Sequence, residues 1–209
     1  MGLHNNSNTK PPKLVLISGA TGVGKSTVSI ELARKANFAR YISTDAIREI
    51  LRTVNTPEKN SSLFRSSFSK GETGDPVTDW KDACEPIKDG IKATINRARR
   101  EGIDLILEGV HLIPSNEFIR NWTNEGGIAI GIVLHVKNKH KHLELINERE
   151  MNSWRTSQRY IESFERIREI QEGILDAAVP FSWNKIDSTK ENACERIAHI
   201  LDVEWNKNR

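Results

Sequence analysis

The sequence predicts an α/β fold, a parallel five-stranded sheet flanked by helices, and two observations predict it. Short apolar runs alternate with helical apolar stripes along the chain, the pattern of parallel strands joined by crossover helices. Between the first run and the first stripe stands "GATGVGKS", residues 19–26, a glycine-rich turn of the kind that leads from a buried strand into a helix.

Taken in order, the strands are residues 14–18, 40–43, 103–108, 128–136 and, more weakly, 181–186. Val28, Leu32 and Ala36 recur at spacing four after the glycine turn and mark the first helix. Trp80, Cys84, Ile87, Ile91, Ile95 and Ala98 draw a longer stripe. Pro86 predicts a kink or restart in it, because proline lacks the amide donor and crowds the preceding turn. Ile161, Phe164, Ile167, Ile170, Ile174 and Ala178 form a third stripe, and Ala193, Ile197, Ile200 and Leu201 mark a last helix over residues 191–205. Residues 56–76, "TPEKNSSLFRSSFSKGETGDP", depart from the pattern: they are polar, rich in Ser and Gly, and longer than an ordinary connection. Phe64 and Phe68 within them predict a loop that closes over something.

Composition narrows the function classes. At 209 residues the chain has room for one domain with a sizeable core, residues 13–209, behind a disordered tail at residues 1–12. A net charge of +3, with 31 Lys and Arg nearly balanced by 28 Asp and Glu, is too small to argue for nucleic acid as partner on its own. Cys84 and Cys194 stand far apart and form neither a disulfide framework nor a zinc pattern. The longest apolar run, residues 126–136, is too short for a bilayer, and the start "MGLHNNSNTKPPK" has no signal-peptide core. Gly2 fits a myristoylation start, but Asn6 stands where Ser or Thr is required. These features predict a cytoplasmic protein without a membrane partner.

The glycine turn fits G-x-x-x-x-G-K-[ST], the phosphate-binding loop of P-loop NTPases. Glycines let backbone N–H groups curl around phosphate oxygens, and the helix N-terminus adds partial positive charge. Lys25 then reaches the β- and γ-phosphates, and the Ser26 hydroxyl ligates Mg²⁺. Three further features predict a kinase with a lid and an acceptor-side insertion. "YISTDAIREILR" puts Asp45 where a strand meets a helix, with Arg48 one turn on; the bland alternative for Asp45 is a helix N-cap. "IDLILEGVHL" puts Glu108 at the carboxyl end of its strand, followed by Gly109 and His111, whereas Asp104 lies at the wrong end. Asp45 and Glu108 both qualify as general base and as metal ligand; His111 is placed to contact a phosphate or to pack against the loop. "NEREMNSWRTSQRY" carries Arg149, Arg155 and Arg159 between two long helices, a lid over residues 147–159 that brings arginine forks to the γ-phosphate.

A rival signal is "NKID", residues 184–187, which matches the N-K-x-D pattern with which GTPases read guanine. No Asp in the chain has Gly three residues on, so the accompanying D-x-x-G switch is missing. Residues 186–189 are expected instead to form a strand–helix loop beneath the base.

With those residues assembled, the chain resembles the 2-phosphoglycerate kinases, a branch of the P-loop kinases. The matching pieces are "SGATGVGKST", "ISTDAIREILR", "SLFRSSF", "LILEGVHLIP" and "RYIESFERIREIQEGILD", spread over residues 14–187. The resemblance implies the reaction of ATP with 2-phosphoglycerate to give ADP and 2,3-bisphosphoglycerate. It implies that Gly19, Ala20, Thr21, Gly22, Val23, Gly24, Lys25, Ser26 and Thr27 cradle ATP·Mg²⁺, joined by Arg149 and Arg155 from the lid. Asp45 would be the base on the 3-hydroxyl, with Arg48, Glu108 and His111 at the acceptor. "SLFRSSFSK" resembles the acceptor cap, with Arg65 and Lys70 as its anion-binding side chains and Ser66 and Ser67 assisting. Archaeal members of the family carry a further N-terminal domain, in whose place stand residues 1–12. Two other classes share parts of the pattern: polynucleotide 5′-hydroxyl kinases, which need a basic channel for the strand, and nucleotide-binding modules without catalysis.

Overall fold

The computed structural model of the chain describes residues 10–151 and 158–207, and of residues 149–151 the backbone alone. Its elements are β1 (Lys13–Ser18), α1 (Lys25–Lys35), β2 (Arg40–Ser43), α2 (Thr44–Arg52), α3 (Ser61–Phe64), α4 (Pro76–Cys84), α5 (Lys88–Glu101), β3 (Leu105–Glu108), α6 (Glu117–Thr123), β4 (Ile128–His135), α7 (Lys139–Met151), α8 (Gln158–Glu162), α9 (Phe164–Ala178), β5 (Asn184–Asp187) and α10 (Ala193–Lys207).

The five strands form one parallel sheet in the order β2-β3-β1-β4-β5. Leu14, Val15, Leu16 and Ile17 are completely buried because β1 lies at the centre, with β3 on one side and β4 on the other. Each such side chain contributes about 1.5–3 kcal/mol by leaving water, so an acidic residue at Leu16 would unmake the sheet. From β1 the chain first runs outward to β2 and later crosses to β4. The carboxyl end of β1 is therefore the switch point at which open α/β sheets form their ligand crevice.

Pro86 restarts the helix as expected: a 3₁₀ turn, Glu85–Ile87, separates α4 from α5. Other local expectations need correction. The third stripe breaks at Ser163: α8 ends at Glu162, α9 begins at Phe164, and Ile161 is exposed rather than part of the core. The last strand is "NKID" itself, paired with β4 from Ile132 to His135, while Val179–Phe181 form a 3₁₀ turn before it. Residues 10–12 are held rather than loose. The Pro12 carbonyl accepts from the Trp122 indole (2.9 Å) and from the Ile128 amide (2.9 Å), and Lys10 sits over the Trp205 ring; residues 1–9 lie outside the described residues. Within residues 56–76 there is a helical turn, α3, and Leu63, Ser67 and Phe68 are buried. Among the described residues no helix is long and apolar enough to cross a membrane.

Candidate active site

The glycine turn ends at Gly24, which N-caps α1 with a positive φ of 81° and no side-chain cap. The first N–H groups of α1 are thus left for an anion, as helix N-termini require when they bind phosphate. Lys25 folds back so that Nζ donates to the Ala20 carbonyl at 2.7 Å. The turn is braced from outside by α7. A Cβ on Gly22 would lie 2.3 Å from Ile146 Cγ1, so α7 packs where only glycine fits. Buried His142 lies on the same helix, with Nε2 2.8 Å from the Thr21 carbonyl and Nδ1 3.5 Å from the Arg168 guanidinium. A carbonyl only accepts, so Nε2 carries the proton and the ring is neutral. Burial in the first place pushes the His142 pKa down to about 4; the Arg168 and Lys25 charges add to this, and the Thr21 contact opposes it. Beside the turn opens a cleft of about 470 Å³ lined by Gly22, Gly24, Lys25, Ser26, Thr27, Leu145 and Glu148.

Two carboxylates flank this turn, and their surroundings differ. Glu108 ends β3, is buried, and accepts from the Ser26 hydroxyl (3.0 Å) and from the Tyr41 hydroxyl (2.9 Å). Burial, reinforced by the negative Glu108, pushes the Tyr41 phenol up to about 12. A hydroxyl and a carboxylate side by side suit Mg²⁺, which takes one or two protein oxygens and keeps waters and phosphates for the rest. Among the described residues no group of three His, Cys, Asp or Glu stands ready for a metal.

Asp45 sits in the first turn of α2 and is exposed. Its alternative role as N-cap is filled by Ser43, whose Oγ accepts from the Ala46 amide. The Asp45 carboxylate lies 3.5 Å from the Arg48 guanidinium and 3.9 Å from His111 Nδ1. His111 is buried, with Nδ1 3.0 Å from Thr44 Oγ1. Gly109 permits this approach, since a Cβ there would lie 1.7 Å from Thr44 Oγ1. Burial pushes the His111 pKa down to about 4; Asp45 resists, while Arg48 and Lys25 assist. The ring is therefore neutral at physiological pH.

Residues 65–79 are organised by a pair that the pattern reading missed. Asp79, on α4, is fully buried and accepts from the Gly71 amide (2.7 Å), the Thr73 amide and hydroxyl (3.2 and 2.8 Å) and Arg166 of α9 (2.9 Å). Burial alone would raise its pKa; these donors outweigh it and hold the carboxyl far below the usual carboxylate range. Arg166 also donates to the carbonyls of Phe68 (3.1 Å) and Gly74 (2.7 Å). Arg65 donates to the Asp79 carbonyl at 2.5 Å and leaves its Nε–H buried without a partner, as Arg48 does. Ser66 is half-buried, Ser67 is buried, and Lys70 is exposed. Arg159 lies over the Tyr160 and Phe68 rings and donates to the Tyr160 hydroxyl at 2.6 Å, joining α8 to this segment. The Arg149 side chain and Arg155 lie outside the described residues.

The structure thus brings Lys25, Ser26 and Glu108 together, and separately Asp45, Arg48 and His111. Tyr41 was legible only in retrospect. It lies two residues before Ser43, which pairs with Glu108 across β2 and β3, so both side chains share one face of the sheet.

A family model described as an AAA domain matches residues 15–171. The 2-phosphoglycerate kinase of Methanopyrus kandleri is 34% identical over 204 residues, covering 91% of this chain and 62% of that protein. The 2-phosphoglycerate kinase of Pyrococcus furiosus is 33% identical over 208 residues, covering 92% of this chain and 67% of that protein. The chain spans about three fifths of the length of the first curated relatives it matches. Among solved structures, a gluconokinase from Sinorhizobium meliloti 1021 is similar with a TM-score of 0.53 at 13% identity, over 96% of this chain and 100% of that one. That likeness is one of fold.

Proposed function

This chain belongs to the 2-phosphoglycerate kinase family, and from that premise we propose that it transfers the γ-phosphoryl group of ATP to the 3-hydroxyl of 2-phosphoglycerate, giving ADP and 2,3-bisphosphoglycerate. The observation that carries the reading is the contact of Ser26 with Glu108 at 3.0 Å beside an uncapped helix N-terminus. It supports a site for nucleotide phosphates with a divalent cation.

In this reading residues 19–27 wrap the phosphates of ATP, and Lys25 leaves the Ala20 carbonyl to reach the β- and γ-phosphates. Ser26 and Glu108 hold Mg²⁺, which neutralises charge on the phosphates when bound. Asp45, exposed and free of the capping role, accepts the proton of the acceptor hydroxyl as the new O–P bond forms. Arg48 and Arg65, each with an unpartnered buried Nε–H, and Lys70 at the surface receive the acceptor's carboxylate and phosphate. His111 positions Asp45 from behind through Thr44. Phosphoryl transfer passes through a loose transition state, so placement and charge neutralisation outweigh base strength. Residues 147–159, with Arg149 and Arg155, close over the nucleotide and keep water from the γ-phosphate.

The test is ADP release with ATP and Mg²⁺ against 2-phosphoglycerate, 3-phosphoglycerate, glycerate and a 5′-hydroxyl oligonucleotide. Fast release with 2-phosphoglycerate alone is expected. Release only with the oligonucleotide would keep the kinase and overturn its acceptor, and silence with all four despite ATP binding would overturn the reading.

A further inference from the structure

Between Thr21 and Gly22 lies the peptide unit of the glycine turn that α7 reaches. A peptide unit is planar and trans, so its C=O and the following N–H point in opposite directions and turn over together. Gly22 has a φ of +83°, and glycine adopts positive and negative φ with similar ease. The backbone of the turn therefore leaves this unit two orientations, as in type I and type II turns, which differ by one such flip.

His142 selects one of the two. Its Nε2–H donates to the Thr21 carbonyl at 2.8 Å, which turns the Gly22 N–H to the side away from the imidazole. Gly22 lines the cleft together with Gly24, Lys25, Ser26 and Thr27, and among the described residues its N–H meets no protein acceptor. The ring is itself fixed on three sides. His142 is fully buried, the Phe164 ring meets it edge-on with centroids 5.5 Å apart, and the Arg168 guanidinium lies 3.5 Å from Nδ1. Arg168 is held in turn by the Val136 carbonyl at 2.5 Å and by Glu172 at 3.7 Å. A guanidinium only donates and a carbonyl only accepts, so both neighbours demand the same tautomer, with the proton on Nε2.

We propose that His142 is a positioning residue for the phosphate-binding turn: by holding the Thr21 carbonyl outward it keeps the Gly22 N–H turned toward the phosphates of ATP. The reverse orientation would set a carbonyl oxygen against phosphate charge. This role rests on the reading of residues 19–27 as the phosphate cradle and is independent of the kinase acceptor.

Calorimetric titration of ATP with Mg²⁺ into three forms of the full chain tests this. His142→Leu fills the space without a donor and should weaken ATP binding at least about tenfold, the worth of one hydrogen bond to a charged group. His142→Gln restores an N–H near the position of Nε2 and should bind within about threefold of the unmodified chain. A residue that only filled space would give the opposite order, since leucine suits an apolar setting better than glutamine. Two resonances of the unmodified chain decide if a variant fails to fold. The ring ¹⁵N signals should show His142 protonated on Nε2 alone, and the Gly22 amide proton should move downfield as ATP is added. A proton on Nδ1, a Gly22 amide indifferent to ATP, a folded His142→Leu with undiminished affinity, or a folded His142→Gln no better than His142→Leu would each overturn the proposal. Absence of ATP binding by the unmodified chain would instead overturn the phosphate reading of the turn, and the proposal with it.

Discussion

The glycine turn and residues 65–79 are held by different means. The glycine turn is shaped by its own residues: Gly22 and Gly24 have positive φ, the helix begins at Lys25, and Lys25 bonds Ala20 only five positions away. Residues 65–79 have short local turns but are gathered from far along the chain. Their carbonyls at Phe68 and Gly74 are gathered by Arg166, which lies more than ninety positions away and is anchored on the buried Asp79. One side is a motif, and the other is a tertiary clasp. A damaged motif should cost chemistry, whereas a damaged clasp should cost acceptor binding.

The largest expected effect is on the motif. Lys25→Ala should lower kcat by about a thousandfold, as loss of a donor aimed at transition-state charge does, with an unchanged melting temperature. Asp45→Asn should lose no more than that. A Lys25 variant with near-normal turnover would break the assignment of the turn.

Breaking the clasp should separate the two sides kinetically. Arg166→Met is expected to raise KM for the acceptor about tenfold while leaving KM for ATP within about twofold. A comparable rise in both would show that the two regions act as one unit. The same clasp has a pH signature. The Asp79 carboxyl is depressed in the fold, so its contribution to stability is complete above its ordinary value of 3.8 and is lost as the pH falls below that value. Melting curves in acid should therefore decline less steeply for Asp79→Asn, which cannot titrate, than for the unmodified chain.

Smaller effects sharpen the donor side. Tyr41→Phe removes one of the two donors to Glu108 and should weaken the Mg²⁺ dependence of turnover about fivefold, as changes behind a metal ligand do. Asp187→Ala should leave the ratio of ATP to GTP turnover within about twofold. Its carboxylate accepts from the Thr189 amide and hydroxyl, an ordinary local turn rather than a base-reading contact. A switch in nucleotide preference would revive the guanine-reading interpretation.

The fold was largely legible because strands and helices bury their apolar residues at fixed periods. Leu14 to Ile17 are an unbroken apolar run, as a central strand buried on both faces is, and the stripe from Trp80 to Ala98 carries the helical period plainly. Short amphipathic pieces did not: α6 buries only Trp122, and α3 is a single turn. Position along the chain also singled out Asp45 and Glu108, which stand at or just beyond the carboxyl ends of β2 and β3, where open parallel sheets bind ligands. Asp79 and His142 belong to no motif, and Tyr41 and Arg166 stand inside quoted stretches without a role there; each of the four acts on a partner remote in sequence.

By itself the sequence determined the phosphate-binding turn, the order of strands and helices, and the two carboxylates at strand ends. Those features depend on backbone conformations and periodicities that span a few residues. Only the tertiary structure decided that β3 lies beside β1, which sets Glu108 against Ser26 from 82 positions away. It also decided that α7 bears on the glycine turn and that Arg166 of α9 clasps residues 68–79. Strand order and helix docking follow from the summed burial of dozens of side chains, and no short window of residues contains that sum.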